Sequence, residues 1–199
     1  MDEGLAVYIV DDDAAVRDSL SLLLSLRGYR TATFACAEDF LAAIEPGWAG
    51  CLIADIRMPG MSGLALQEAL ARRGIALPVV IITAHGDVES ARAAFKSNAV
   101  DFLEKPFDET GPVNAVEAAF ERERRRLASE HVERRRDAGL AGLSPREREV
   151  MDLLVQGLHN RDVAERLAIS PRTVEVHKAR IMAKLGARGL ADLIRLSQP

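Results

Sequence analysis

Five short apolar runs, each followed by a helical pattern, constrain the fold of this 199-residue chain more than any other feature. The runs are rich in β-branched residues and short enough to be buried strands. They lie in AVYIV (6–10), RTATF (30–34), CLIAD (51–55), PVVIIT (78–83) and AVDFLEKPF (99–107). Strands that alternate with helices favour a parallel sheet covered by helices on both faces. We therefore expect a doubly wound α/β domain over residues 1–122.

The formal net charge of −4 conceals two halves of opposite sign. Residues 1–120 contain 18 acidic and 9 basic side chains, whereas residues 121–199 contain 12 acidic and 17 basic ones. An acidic half followed by a basic half predicts two domains with different partners, and a basic domain favours nucleic acid. Between them, the charged residues 123–142 are expected to form a helical linker that ends in a hinge, DAGLAG (137–142).

Residues 143–199 contain helical patterns and no strand pattern. Capping signals at Ser144, Asn160 and Ser170 predict the starts of three helices. Gly157 is placed to end the first of them, and either Gly186 or Gly189 to end the third. Two short helices separated by a tight turn in a basic segment favour a helix-turn-helix. We expect a small all-α domain that binds DNA.

Composition disfavours several other classes of protein. No apolar run approaches the roughly 20 residues that cross a bilayer, and the N-terminus lacks the pattern of a signal peptide. Cys36 and Cys51 have no metal-ligand spacing, and they suit a reduced cytoplasmic setting. Neither G-x-G-x-x-G nor a P-loop follows the first strand, which counts against a nucleotide-binding enzyme.

Functional side chains are expected at the carboxyl ends of the parallel strands. Like charges about 4 Å apart repel by roughly 4 kcal/mol at an effective dielectric constant of about 20, so clustered carboxylates there need a cation. Oxygen ligands with water suit Mg²⁺. Any one polar residue at a strand end could simply form a turn or cap a helix. For Asp13 we expect the role of N-terminal helix cap. As a set they predict a reactive site: Asp11, Asp12, Asp55, Thr83 and Lys105.

Four stretches together resemble the receiver domain of bacterial two-component response regulators. They are YIVDDD (8–13), IADIRMPGMSG (53–63), VIITAHGD (80–87) and VDFLEKPF (100–107). The resemblance implies a five-stranded sheet in the order 2-1-3-4-5 and a phosphoryl group transferred to Asp55 by a histidine kinase. Such a domain catalyses only its own phosphoryl transfer and dephosphorylation, so we do not expect an enzyme.

The same resemblance assigns a Mg²⁺ site. It implies that Asp12, Asp55 and the backbone carbonyl of Arg57 bind the ion directly, whereas Asp11 acts through water. The side chains of Arg57 and His85 should flank the phosphoryl group. Neither is a carboxylate or amide that would orient a hydrolytic water, which favours a phosphorylated state lasting longer than seconds, although both side chains could equally point to solvent.

Lys105, Thr83 and Phe102 complete the implied site. Lys105 would contact the phosphoryl oxygens, and the bond between Lys105 and Pro106 is expected to be cis. Thr83 would move to hydrogen-bond the phosphoryl group, and Phe102 would turn inward behind it. Thr83 and Phe102 are therefore the expected switch residues.

Residues 143–194 resemble the LuxR-type helix-turn-helix, which with the receiver implies the NarL/FixJ subfamily; DIRMPGMSG and TAHGDV are most like its FixJ branch. In that family the helix that begins near Arg172 enters the major groove. Val174 is expected in the core, and His177 could pack at the edge of the core or contact a base. The implied DNA contacts are Thr173 and Lys184 at phosphates, Glu175, Val176 and Ala179 at base edges, and His177, Lys178 and Arg180 nearby.

These features predict a phosphorylation-dependent transcriptional regulator of the bacterial cytoplasm. The implied partners are a histidine kinase, double-stranded promoter DNA, a second copy of the chain after activation, and RNA polymerase. Phosphorylation would either create a dimer surface or release contacts that hide the recognition helix, and both remain open. A receiver that signals without phosphate is the alternative of another class, against which the complete set of five site residues argues.

Overall fold

The computed structural model describes residues 4–84 and 98–197, which divide into two compact units at Arg126 and Leu127. The first unit contains a parallel five-stranded sheet in the order β2-β1-β3-β4-β5, as predicted. The strands are β1 (Ala6–Val10), β2 (Arg30–Phe34), β3 (Gly50–Asp55), β4 (Val79–Thr83) and β5 (Asp101–Glu104). Three helices lie between them: α1 (Ala14–Leu26), α2 (Ala37–Ala43) and α3 (Gly63–Arg72). The helix predicted between β4 and β5 lies outside the described residues.

The middle of the sheet is buried because its strands are almost wholly apolar. Every residue of β3 and β4 is buried, which is typical of strands covered by helices on both faces. Four aromatic side chains pack together beside β1, and the ring of Tyr8 stacks on the single tryptophan, Trp48, at a centroid distance of 4.7 Å. The core therefore holds the strand ends in a fixed register.

Helix α4 (Thr110–Ala141) runs further than the sequence predicted. The hinge predicted at residues 137–142 is wrong, because residues 137–141 belong to the helix and only Gly142 lies beyond its end. Gly139 lies against another helix: a Cβ there would be 2.8 Å from the carbonyl oxygen of Lys184 and 2.9 Å from Leu185. This glycine permits close packing rather than bending.

The second unit packs four further helices around an apolar cluster that includes Val150, Leu154, Val174 and Ile181. Ser144 and Ser170 cap their helices as predicted, and Ser144 forms a capping box with Glu147. The third predicted cap is one residue out, because His159 precedes the helix and its N–H donates to Asp162. The helices are α5 (Pro145–Val155), α6 (Asn160–Arg166), α7 (Pro171–Leu185) and α8 (Leu190–Ser197). Across residues 4–84 and 98–197, none of the helices is both long and apolar enough to cross a membrane.

Candidate functional site

Parallel pairing brings the predicted site residues to one edge of the sheet. β1 and β3 are neighbours and end beside Asp11 and at Asp55, respectively. β4 ends at Thr83, whose carbonyl accepts a hydrogen bond from the Lys105 backbone N–H at 2.7 Å. That bond extends the pairing of β4 with β5 by one residue beyond the end of β5. Lys105 therefore lies at the same edge of the sheet as the two carboxylates.

The ammonium group of Lys105 lies between two buried carboxylates. Its Nζ is 2.7 Å from Oδ2 of Asp11 and 2.8 Å from Oδ1 of Asp55. The exposed fractions of the three side chains are 18%, 1% and 6%. Burial opposes the charge of Lys105, but the hydrogen bonds to Asp11 and Asp55 outweigh it and raise the pKa of the ammonium group. Burial raises the pKa of Asp11, and the bond from Lys105 offsets part of that effect.

Backbone N–H groups hold the other oxygens of these carboxylates. Oδ1 of Asp11 accepts from the N–H of Asp13 at 2.9 Å, and Oδ2 of Asp55 accepts from the N–H of Arg57 at 2.6 Å. The guanidinium of Arg17 donates to the carbonyl of Asp11 at 2.7 Å. Arg17 was not predicted from the sequence, where its signal is an arginine one turn into the helix that follows the acidic end of β1.

Asp12 is exposed and does not join this cluster. Within the described ranges, no group of three carboxylate, imidazole or thiol side chains converges to hold a metal. Asp11 and Asp55 nevertheless supply hard oxygen donors, and Mg²⁺ binds through one or two carboxylates while keeping several waters. The residues present therefore fit Mg²⁺ in donor chemistry, with two buried carboxylates and one exposed neighbour.

The remaining predicted receiver residues differ in burial and position. Thr83 is buried at the end of β4, and Phe102 is half-buried against the core of the first unit. The side chain of Arg57 is exposed, while His85 lies outside the described residues. The peptide bond between Lys105 and Pro106 is cis, as predicted.

Helix α7 presents the side chains predicted to read bases. Val174 is buried in the core, as expected, while Glu175, Val176, Ala179 and Arg180 are exposed. Val176 is one of the most exposed large apolar side chains of the described chain, at 45%. An exposed apolar side chain in a charged helix suits contact with a thymine methyl group.

The other predicted DNA contacts are less free. His177 is half-buried and its Nδ1 is buried without a hydrogen bond inside the described chain, which suits packing at the edge of the core better than a base contact. Lys178 is half-buried, and the hydroxyl of Thr173 lies 2.8 Å from that of Ser170. Lys184 is bound internally, because its Nζ is 2.7 Å from Oε2 of Glu147. This ion pair was not predicted from the sequence.

Family comparisons match both units. Residues 7–117 match the response regulator receiver domain, and residues 141–197 match the luxR family of bacterial regulatory proteins. The chain is 44% identical over 197 residues to the transcriptional regulatory protein FixJ of Azorhizobium caulinodans, covering 99% of this chain and 93% of FixJ. It is 46% identical over 196 residues to the C4-dicarboxylate transport transcriptional regulatory protein DctR of Rhodobacter capsulatus, covering 98% and 100%.

Solved structures of response regulators also match almost the whole chain. The response regulator StyR matches with a TM-score of 0.87 and 40% identity, covering 97% of this chain and 98% of StyR. Full-length FixJ from B. japonicum matches with a TM-score of 0.60 and 42% identity, covering 96% and 95%. The chain is thus a transcription factor rather than a classical enzyme, and phosphorylation-dependent regulation is the standard mechanism of its relatives. It belongs to the FixJ-type response regulators, which join a receiver domain to a LuxR-type DNA-binding domain.

Proposed function

We propose that Asp55 accepts the phosphoryl group and that its phosphorylation controls DNA binding through helix α7. The observation that carries the proposal is the position of Lys105, whose Nζ contacts both Asp11 and Asp55 at the carboxyl edge of the sheet. A carboxylate that is buried at the end of an apolar strand has no structural need to be there. An ammonium group beside it supplies the charge that phosphoryl transfer requires.

The reaction needs a nucleophile and positive charge around the transferred group. An oxygen of Asp55 forms the new P–O bond, while the P–N bond of the kinase phosphohistidine breaks and the imidazole leaves with the electron pair. Lys105 turns from the carboxylate to the phosphoryl oxygens, which carry more negative charge. The Arg57 N–H, 2.6 Å from Oδ2, keeps the carboxylate oriented during the attack.

Mg²⁺ neutralises phosphoryl charge when it is bound. Asp55 and the carbonyl of Arg57 would hold the ion, together with Asp12 directly and Asp11 through water. Asp11 and Asp55 are buried on neighbouring strands, which supports a site of this kind. Asp12 is exposed and follows Asp11 directly in the chain, so its carboxylate is accessible to an ion.

Thr83 and Phe102 would report the phosphorylation to the rest of the protein. Thr83 is the last residue of β4, which pairs with β3. Phe102 in β5 pairs with Ile81, which lies two residues before Thr83 in β4. A movement of Thr83 would therefore reach Phe102 through the pairing of β4 with β5. We propose a phosphoryl lifetime longer than seconds, because the exposed Arg57 side chain has no carboxylate or amide to orient a hydrolytic water. Loss of labelled phosphate from the purified phosphoprotein within seconds would contradict that lifetime.

The second unit would read promoter DNA. We propose that Glu175, Val176 and Ala179 face base edges, that Thr173 contacts a phosphate, and that Lys178 and Arg180 lie near the backbone. The exposure of the first three supports this assignment. Substituting alanine for Glu175 or Val176 should cost about 1–3 kcal/mol for the selected duplex, with little change for a random duplex. Equal binding of both duplexes by both variants would place the recognition surface elsewhere.

We assign residues 1–122 to the receiver, 123–142 to the linker and 143–199 to the DNA-binding domain. The two compact units support two domains, and the helix that spans Thr110–Ala141 supports a helical linker. A histidine kinase and promoter DNA are the partners that the two domains imply, and action on promoter DNA places the protein in the bacterial cytoplasm. We also propose a homodimer on activation, which would contact two half-sites and RNA polymerase.

DNA affinity with and without a phosphodonor tests the whole proposal. A duplex selected by the protein from a randomised library would be titrated in acetyl phosphate and Mg²⁺, with the oligomeric state measured in parallel. We expect the phosphodonor to tighten binding by wild type and by the exposed control Asp39→Asn, but not by Asp55→Asn. Equal affinity with and without phosphodonor for wild type would instead support a receiver that signals without phosphate. Dimerisation after phosphorylation would show that a dimer surface is created, rather than that contacts hiding the recognition helix are released.

A further inference from the structure

The last lysine of the recognition helix points into its own domain. Two acceptors hold the Nζ of Lys184: Oε2 of Glu147 at 2.7 Å and the carbonyl oxygen of Gly142 at 2.9 Å. The lysine side chain is 40% exposed, but that of Glu147 is only 4% exposed. The ion pair therefore joins α7 to α5 and to the residue that follows α4.

Glu147 is a firm partner for this ammonium group. The same Oε2 accepts from the backbone N–H of Ser144 at 2.8 Å, as part of the capping box of α5. The hydrogen bond from Lys184, followed by the backbone N–H of Ser144, lowers the pKa of the carboxyl group to about 2. The carboxylate is thus charged at neutral pH, and without Lys184 it would keep the hydrogen bond from Ser144 but lose its positive partner.

The backbone of Lys184 is also in close contact with α4. A Cβ at Gly139 would lie 2.8 Å from the Lys184 carbonyl oxygen, so the two helices approach as closely as glycine permits. Lys184 therefore contacts α4 through its backbone and the residue that follows α4 through its side chain. Arg148 adds a hydrogen bond to the carbonyl of Leu140 at 2.9 Å.

We infer that Lys184 is a positioning residue that fixes the recognition helix on α5 and on the end of α4, and that it does not bind a DNA phosphate. This inference rests on the proposed DNA-binding function and replaces the phosphate contact that the sequence predicted for Lys184. The charge of Lys184 is already balanced by Glu147, and a phosphate beside the pair would meet a buried like charge. Binding of DNA therefore displaces no counterion from Lys184.

The salt dependence of DNA binding separates a phosphate contact from a positioning role. Each phosphate contact contributes about −0.9 to the slope of log K against log salt concentration. We expect Lys178→Met, the control on the same helix, to reduce the magnitude of this slope by about 0.9. Lys184→Met should leave the slope of the full-length protein unchanged, while its affinity falls by the same factor at every salt concentration.

Glu147→Gln gives a prediction of opposite sign. The variant frees the ammonium group of Lys184, so the magnitude of the slope should increase by up to about 0.9. Adding Lys184→Met to Glu147→Gln should return the slope to that of wild type. A slope reduced by about 0.9 in Lys184→Met, with unchanged thermal stability, would overturn the inference.

Thermal unfolding of the same four proteins provides a readout that does not need DNA. Wild type, the two single variants and the double variant form a cycle, in which we expect the single losses to be strongly non-additive. Additive losses would contradict the positioning role even if no DNA sequence were bound. If Lys184→Met does not fold, Lys184→Arg should keep the salt slope and most of the stability. Absence of salt-dependent binding by wild type would refute the proposed function instead.

Discussion

Replacing Lys105 with methionine removes the ammonium group that separates two buried carboxylates and keeps most of the side-chain volume. The oxygens of Asp11 and Asp55 that accept from Lys105 lie no more than about 5.5 Å apart, since they are 2.7 and 2.8 Å from the same nitrogen. At an effective dielectric constant of about 20, two negative charges at that separation repel by about 3 kcal/mol. Breaking a buried ion pair typically costs about 3–5 kcal/mol, which agrees with this figure.

We therefore expect Lys105→Met to lower the free energy of unfolding of the receiver by about 3 kcal/mol at pH 7. Urea unfolding followed by the fluorescence of Trp48, the single tryptophan, reports on this unit. With a urea m-value of about 1–3 kcal/mol per M, the midpoint should fall by about 1–3 M. The control is Arg72→Met, which breaks an exposed pair with Glu68 and should cost less than about 1 kcal/mol.

The pH dependence of the loss identifies its cause. Without Lys105 the pKa of the buried Asp11 rises further, so the folded variant takes up a proton more readily than the unfolded chain does. The loss should therefore be largest at pH 7 and should shrink as the pH falls towards about 4. A loss of equal size at both pH values would refute the electrostatic reasoning and indicate altered packing, as would an unchanged midpoint at pH 7.

Three further substitutions test contacts elsewhere in the chain. Gly139→Ala should destabilise the second unit by about 1–3 kcal/mol in thermal unfolding, because the new Cβ would lie 2.8 Å from the carbonyl of Lys184; Gly111→Ala, whose nearest contact is 3.5 Å, should not. Glu147 has a pKa lowered to about 2, so its stabilisation is complete above pH 4.5 and is lost as the pH falls towards 2. Circular dichroism at 222 nm should show that Glu147→Gln removes this part of the acid transition. Asp13→Ala removes the cap that accepts from Ala15 at 2.8 Å and should cost about 1 kcal/mol in urea unfolding, whereas no change would show that water replaces the cap.

The sheet and its reactive edge were predictable from sequence because they depend on local patterns. Each apolar run specifies a strand, and parallel pairing places the following residues at one edge. Asp55 and Lys105 are 50 residues apart, and the rule that the carboxyl ends of parallel strands share one edge predicts them on the same side of the sheet. The contact of Lys105 with the phosphoacceptor site was implied by the resemblance to receiver domains. The cap of Ser144 was also predictable, since capping residues act within one turn.

Contacts that depend on how helices pack were not predictable in the same way. Glu147 and Lys184 are 37 residues apart. The local sequence predicts a capping box for Glu147, and the family resemblance implies a phosphate contact for Lys184, but neither predicts that the two side chains pair. Gly139 reads as a helix breaker until the neighbouring helix is seen, when it becomes the residue that allows close approach. In both cases the missing information was the partner surface rather than the local conformation.

Phosphorylation of Asp55 changes the mass of the full-length protein, which mass spectrometry of the intact chain measures. The protein would be incubated with acetyl phosphate and Mg²⁺, and the modified residue would then be located by peptide mapping. We predict that the mass of wild type and of Asp39→Asn rises by one phosphoryl group on the peptide that contains Asp55. Asp55→Asn should gain no mass. An unmodified wild-type protein, or an Asp55→Asn variant that still gains a phosphoryl group, would contradict the account.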